Sequence, residues 1–199
     1  MSDFYQRSHR ELQQEFASRA LADRLEGLIV HDALDERASS FIASRDFFFL
    51  STVDEAGFPS VSYKGGDSGF VNIVDPKTLL IPCFDGNGMW LSAGNVAGQG
   101  KVGMLFIDFE SPNRLRVQGN ARLRREPEIL ARWPEAGLAI EVQISQLWVN
   151  CPRYIHPMQR VSDAPHVPKA GIPTPVPEWK TMDIFADVVP PAPHKVKDD

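Results

Sequence analysis

Three short segments carry side chains whose types and spacing could hold a ligand. The first runs Asp85-Gly86-Asn87-Gly88-Met89-Trp90-Leu91-Ser92-Ala93-Gly94-Asn95. Glycines let a backbone approach a bound group closely and adopt positive φ. If Leu91 to Val96 begins a helical turn, its free N–H groups and the Ser92 hydroxyl form a neutral anion site suited to a phosphate. The competing reading is a glycine-rich hairpin whose asparagines only satisfy turn geometry. The second segment is Ser60-Val61-Ser62-Tyr63-Lys64-Gly65-Gly66. Alternation sets Ser60, Ser62 and Lys64 on one strand face, a row of donors ending in a cation that could grip a phosphate or the polar edge of a heterocycle. Equally, a lysine there would guard a solvent-facing edge strand against aggregation. The third is Asn150-Cys151-Pro152-Arg153-Tyr154, where Arg153 could reach a phosphate or carboxylate or stay on the surface. Trp148 just before it reads as core or as a stacking platform.

Other chemistries lack their signatures. No Gly-x-Gly-x-x-Gly follows the first strand, and no phosphate-loop Gly-Lys-Ser/Thr or His-Glu-x-x-His occurs. The five histidines are scattered with no ligand spacing, so no metal site is expected. Cys83 and Cys151 are too few for a disulfide framework, which suits a reducing, cytoplasmic setting. A net charge of −5 argues against nucleic acid and anionic membrane as partners. Neither a signal-peptide core nor a long apolar stretch stands out.

The elements around these segments follow from periodicity. Leu12 and Phe16, then Leu21, Leu25 and Leu28, recur at helical spacing, and Asp32 is the expected cap of a further helix carrying Leu34, Ala38, Phe41 and Ile42. From Phe47 the texture turns to strands. Phe47–Val53, Val61–Lys64, Phe70–Val74, Thr78–Phe84, Lys101–Phe109, Arg114–Leu123 and Leu138–Val149 are the candidates, with a short proline-started helix at Pro127–Trp133. So many short strands joined by tight turns favour an antiparallel barrel over a parallel α/β sheet. The 43% apolar composition supplies a core, and 199 residues suit one domain: helices over 1–45, a barrel over 46–155 and a proline-rich arm over 156–199. The arm reads either as a disordered tail or as an extended segment packed on the barrel or a partner subunit, anchored through Tyr154, Ile155, Trp179, Ile184 and Phe185, with the chain beyond Val189 mobile.

Taken in order, Gly-Phe-Pro-Ser-Val-Ser-Tyr-Lys-Gly-Gly (57–66), Asp-Gly-Asn-Gly-Met (85–89) with Ser92 and Asn95, Val-Gly-Met-Leu-Phe-Ile-Asp-Phe (102–109), Arg-Leu-Arg-Val-Gln-Gly (114–119) and Asn-Cys-Pro-Arg-Tyr-Ile-His (150–156) form one pattern. It resembles the pyridoxamine 5′-phosphate oxidase-related FMN-binding proteins, over roughly Phe41 to His156. That resemblance implies a mainly β fold with flanking helices, a six-stranded antiparallel split barrel. It also implies a homodimer, with FMN in clefts between subunits. Ser62, Tyr63 and Lys64 would lie along the flavin and its ribityl chain, and Asn87, Ser92 and Asn95 would hold the phosphate. Gln118, Trp148 and Arg153 would approach from the second subunit. The implied activity is that of an FMN-dependent oxidoreductase on a small organic substrate. The alternative is a non-catalytic carrier of flavin, deazaflavin or haem, where His156 would matter. Two departures matter: the first weakens FMN binding or shifts its work to backbone amides and Lys64, and the second argues against oxidation of pyridoxamine phosphate itself. The family's cationic phosphate loop reads Ser92-Ala93-Gly94-Asn95 here, and its C-terminal Arg-Leu-x-Pro has no counterpart in Lys195 to Asp199.

Overall fold

The computed structural model describes residues 4–195, and most of the Lys195–Asp199 ending lies outside them. It begins with α1 (Arg7–Glu15) and α2 (Arg19–Ile29), then β1 (Val30–His31) and α3 (Glu36–Ala43). Asp35, not the expected Asp32, caps α3: its carboxylate accepts from the Ala38 amide at 2.7 Å. An N-cap must stand directly before the first helical residue in extended backbone, which Asp35 does (φ −89°, ψ 179°) and Asp32 does not. Asp32 instead pairs with Lys77 at 2.6 Å.

The strands follow as β2 (Phe47–Val53), β3 (Pro59–Gly65), β4 (Asn72–Asp75) and β5 (Thr78–Cys83). Then come α4 (Leu91–Gly98), β6 (Lys101–Asp108), β7 (Asn113–Arg124), α5 (Pro127–Leu130) and β8 (Leu138–Val149). Every pairing is antiparallel, in the order β3-β2-β6-β7-β8-β5-β4, with β1 added to β8. Two of the eight strands, β1 and β4, span four residues or fewer; the other six form the wall. This is the mainly antiparallel sheet with flanking helices that the split-barrel class requires. Phe70 and Val71, expected in a strand, precede β4 as buried core residues, and the Trp133 indole donates to the Phe70 carbonyl at 2.7 Å.

Alternation fills the interior. Phe48 and Leu50 of β2, Phe106 of β6, Val117 of β7, and Ile140 and Val142 of β8 are all at most 1% exposed. Burying each such side chain contributes about 1.5–3 kcal/mol. In β8 the phase changes once. Gln118 pairs with Gln146 while Gly119 pairs with Ile144, so Ser145 is an extra residue on the β8 side. Gly119 is required at this irregularity, because a Cβ there would stand 2.3 Å from the Gln143 carbonyl oxygen.

The proline-rich arm runs back over its own barrel. The Met158 amide donates to the Phe109 carbonyl at 3.0 Å, Arg160 pairs with Asp46, and the Thr174 amide donates to Glu135 at 3.3 Å. Past Val189, the described residues up to Lys195 are not the free tail expected, and residues 196–199 of that expectation lie outside the described residues. Pro193–Lys195 form a 3₁₀ turn seated on Gly137, where a Cβ would meet Pro193 at 2.4 Å.

Candidate functional site

β3 is an edge strand whose polar residues face inward. Ser60, Ser62 and Lys64 alternate as half-buried positions, while Val61 and Tyr63 are exposed on the other side. Register puts Ser60 opposite Thr52, Ser62 opposite Leu50 and Lys64 opposite Phe48, which are all interior residues. The row of donors therefore looks into the barrel mouth rather than into solvent, which removes the edge-guarding reading of Lys64.

α4 lies against this row. It starts at Leu91, as the anion-site reading requires, and its N-terminus has no side-chain cap. The Ser62 and Ser92 hydroxyls are 3.1 Å apart, joining two segments thirty residues apart in sequence. One turn further along α4, the Asn95 amide donates to Thr52 Oγ1 at 3.0 Å and to Ser60 Oγ at 3.3 Å, and those two hydroxyls are 3.1 Å apart. Thr52 is 1% exposed, and these bonds satisfy its hydroxyl where water cannot. The Asn95 network thus fixes the helix to β2 and β3. Ser92 and the first amides of α4 remain at the open end.

Lys64 stands one strand repeat beyond Ser62 on the same face. Among the described residues its ammonium has no hydrogen bond or ion pair. Burial holds it below the ordinary lysine value of 10.5, with the Cys83 thiol as its neighbouring titratable group. Burial likewise pushes the Cys83 thiol up to about 11, against the pull of Lys64. A half-buried cation lacking an anion costs free energy unless a ligand supplies the charge.

The loop between β5 and α4 is bent at two points. Asn87 Oδ1 accepts from the Met89 amide at 3.1 Å, a turn-forming bond. Trp90 then takes left-handed backbone (φ 53°, ψ 22°), which costs a non-glycine residue about 1–2 kcal/mol. Met89 and Trp90 are exposed, whereas Phe84 packs on the smaller core formed by Leu80, Ile129, Trp133, Ala136 and Ala139.

The other candidate residues lie apart from this cluster within one chain. Tyr63 points to the outer face, where its ring stacks on Phe47 at 5.3 Å in line with Phe109 beyond it. Gln118 is on the exposed face of β7. Trp148 falls after the Ser145 irregularity, lies edge-on to Phe4 at 5.1 Å and pairs with Val30. Arg153 is exposed, its guanidinium 5.8 Å from the Tyr154 ring. Among the described residues no group of three or more His, Cys, Asp or Glu is arranged to hold a metal ion.

A mainly antiparallel barrel with flanking helices, α4 among them packed against β2 and β3, defines the class of protein. Residues 34–146 match the model of the pyridoxamine 5′-phosphate oxidase family, and the chain belongs to that family. Solved structures are similar to the chain at low identity. A candidate pyridoxamine 5′-phosphate oxidase from Lactobacillus delbrueckii is 22% identical, with 59% of this chain and 95% of that one covered and a TM-score of 0.48. HutZ, the haem storage protein of Vibrio cholerae, is 17% identical over 58% and 94%, with a TM-score of 0.45. An FMN-binding protein from Syntrophomonas wolfei is 16% identical over 72% and 95%, with a TM-score of 0.43. No curated protein matches the chain. Among the described residues no helix is long and apolar enough to cross a membrane.

Proposed function

We propose that this chain is an FMN-binding flavoprotein, an oxidoreductase on a small organic substrate, that works as a homodimer with the cofactor between subunits. The observation that carries the reading is the meeting of three anion-binding features on the inner side of β3. These are the uncapped start of α4, the Ser62–Ser92 hydroxyl pair, and the half-buried Lys64 ammonium, which has no partner among the described residues. A nucleotide phosphate suits them, because helix-end amides and hydroxyls bind its oxygens while Lys64 offsets its charge. With one cation in place of the family's several, the amides of α4 carry more of the binding. Asn95 acts behind the site by fixing the helix to Thr52 and Ser60. When bound, the flavin supplies the electron chemistry, and the chain's part is to grip, orient and shield it.

Support for the paired state comes from the outer side of the same region. Phe58, Val61 and Tyr63 are 71%, 68% and 62% exposed, and Met89 and Leu91 beside the site are exposed as well. So much apolar surface around a site marks an interface. In the dimer, Gln118, Trp148 and Arg153 would come from the second subunit, with Trp148 already engaged on one side by Phe4 of its own chain. A haem-carrying role finds less support, since His156 lies on the exposed arm.

Purification without added cofactor tests the reading. The expected result is flavin absorbance, or uptake of one FMN per subunit on titration, followed by reduction with a nicotinamide nucleotide and reoxidation by a small acceptor. A colourless protein that takes up no added FMN overturns it. Bound flavin that is never turned over leaves carriage as the function.

A further inference from the structure

The loop ahead of α4 is tied down from an unexpected quarter. Residues 85 to 90 are exposed over most of their length. Between Asp85 and Met89, the described hydrogen bonds are the Asn87–Met89 turn and one from the C-terminal arm, in which Lys180 Nζ donates to Asp85 Oδ2 at 2.5 Å. The Lys180 side chain is only 8% exposed, although its partner is 95 residues earlier in the chain. Lys180 sits in the 3₁₀ turn Glu178–Thr181, its ammonium 5.5 Å from the Trp179 ring centroid, and that ring meets Phe185 edge-on at 5.7 Å. The arm is anchored on both sides of this turn, through Thr174 on Glu135 and through Pro193 on Gly137.

From these contacts we infer that the C-terminal arm is a strap and that Lys180 is a positioning residue for the glycine-rich loop. Two anchors hold the turn, so little side-chain freedom remains to be lost when Lys180 meets Asp85. A largely buried ammonium on a half-exposed carboxylate also escapes much of the solvent screening that weakens surface pairs. The pair restrains the loop between β5 and α4, and so holds the bend at Trp90 against the open start of α4, whose body Asn95 already fixes. Lys180 itself need not touch the ligand. Its effect on affinity comes from ordering the loop before binding. The inference rests on the proposed FMN site only for the identity of that ligand; the tethering of the loop stands apart from it.

Hydrogen exchange of the loop amides in cofactor-free protein, and FMN titration, separate the two. Lys180→Met should speed exchange of the hydrogen-bonded Met89 and Gly94 amides at least about tenfold, with β7 and β8 amides unchanged, and weaken FMN binding by about tenfold. Lys180→Arg should keep wild-type behaviour in both readouts, and the charge swap Asp85→Lys with Lys180→Asp should restore most of it. Unchanged loop exchange in Lys180→Met overturns the strap. Faster exchange with unaltered FMN affinity overturns its positioning role. If the wild-type protein binds no FMN, the flavin assignment fails, and the exchange measurement still decides whether the arm restrains the loop.

Discussion

Two strands of one sheet, β7 and β3, follow opposite rules. β7 turns Leu115 and Val117 into the core and presents Arg116, Gln118 and Asn120 to solvent, as a half-buried antiparallel strand should. β3 sends Ser60, Ser62 and Lys64 inward and leaves Val61 and Tyr63 outside. The inverted strand lies at the sheet edge next to α4, where the core gives way to an open mouth. The two strands serve different ends. β7 holds the barrel together, while β3 forgoes burial of its own apolar side chains to turn a polar row inward and to show an apolar flank.

Substitutions can break that contrast. The largest expected effect is on β7, where Leu115→Ala removes a side chain 3% exposed and should cost about 2–5 kcal/mol of stability by chemical denaturation. On the flank of β3, Val61→Arg should leave circular dichroism intact and convert the proposed dimer to monomer in light scattering. A wild-type monomer would undo that part of the contrast. Lys64→Met, on the inner side, should weaken FMN binding by about tenfold or more, the loss of one charge-assisted contact.

The same variant has a stability signature of opposite sign. Burial holds Lys64 below 10.5, so the unfolded chain binds that proton more tightly than the folded one. The lysine therefore detracts from stability at neutral pH, and the deficit shrinks as the pH climbs toward 10.5. Lys64→Met should accordingly raise the unfolding midpoint near neutrality, with the gain fading in alkali. A variant that is less stable at pH 7 would mean the ammonium has a partner. Asn95→Ala, which removes the donor to Thr52 and Ser60, should cost about 1 kcal/mol in the same assay. The smallest effect concerns the thiols: Cys83, pushed up to about 11, should alkylate at least about tenfold more slowly than the exposed Cys151 near pH 8.

Much of the barrel was legible in the residues, because alternation reports which side of a strand meets apolar neighbours. Phe47–Val53 coincides with β2 residue for residue, and the two faces of β7 divide as the pattern dictates. Alternation sets Ser60, Ser62 and Lys64 on one face but leaves open whether that face is the inner one, and a helical turn at Leu91 is one of two readings of its segment. Thr52 gave no separate signal, although it stands two residues after Leu50 in the inward series, a lone hydroxyl among apolar residues. The Asp35 cap was lost to Asp32 because local sequence offers both carboxylates, and only backbone conformation chooses between them. Lys180 had no local signal whatever, since an ion pair across 95 residues depends on where the whole arm docks.

The extra residue in β8 has a consequence for how the molecule is layered. Up to Ile144 the even-numbered side chains point inward; after Ser145 the odd-numbered Leu147 does, and Trp148 is turned out to meet Phe4 and the strand begun by Val30. A single added peptide unit thus lets one ribbon serve two roofs, the first half closing the barrel and the second half receiving the amino-terminal cover. Chain length at that point, more than the chemistry of any side chain, decides which wall the tryptophan belongs to.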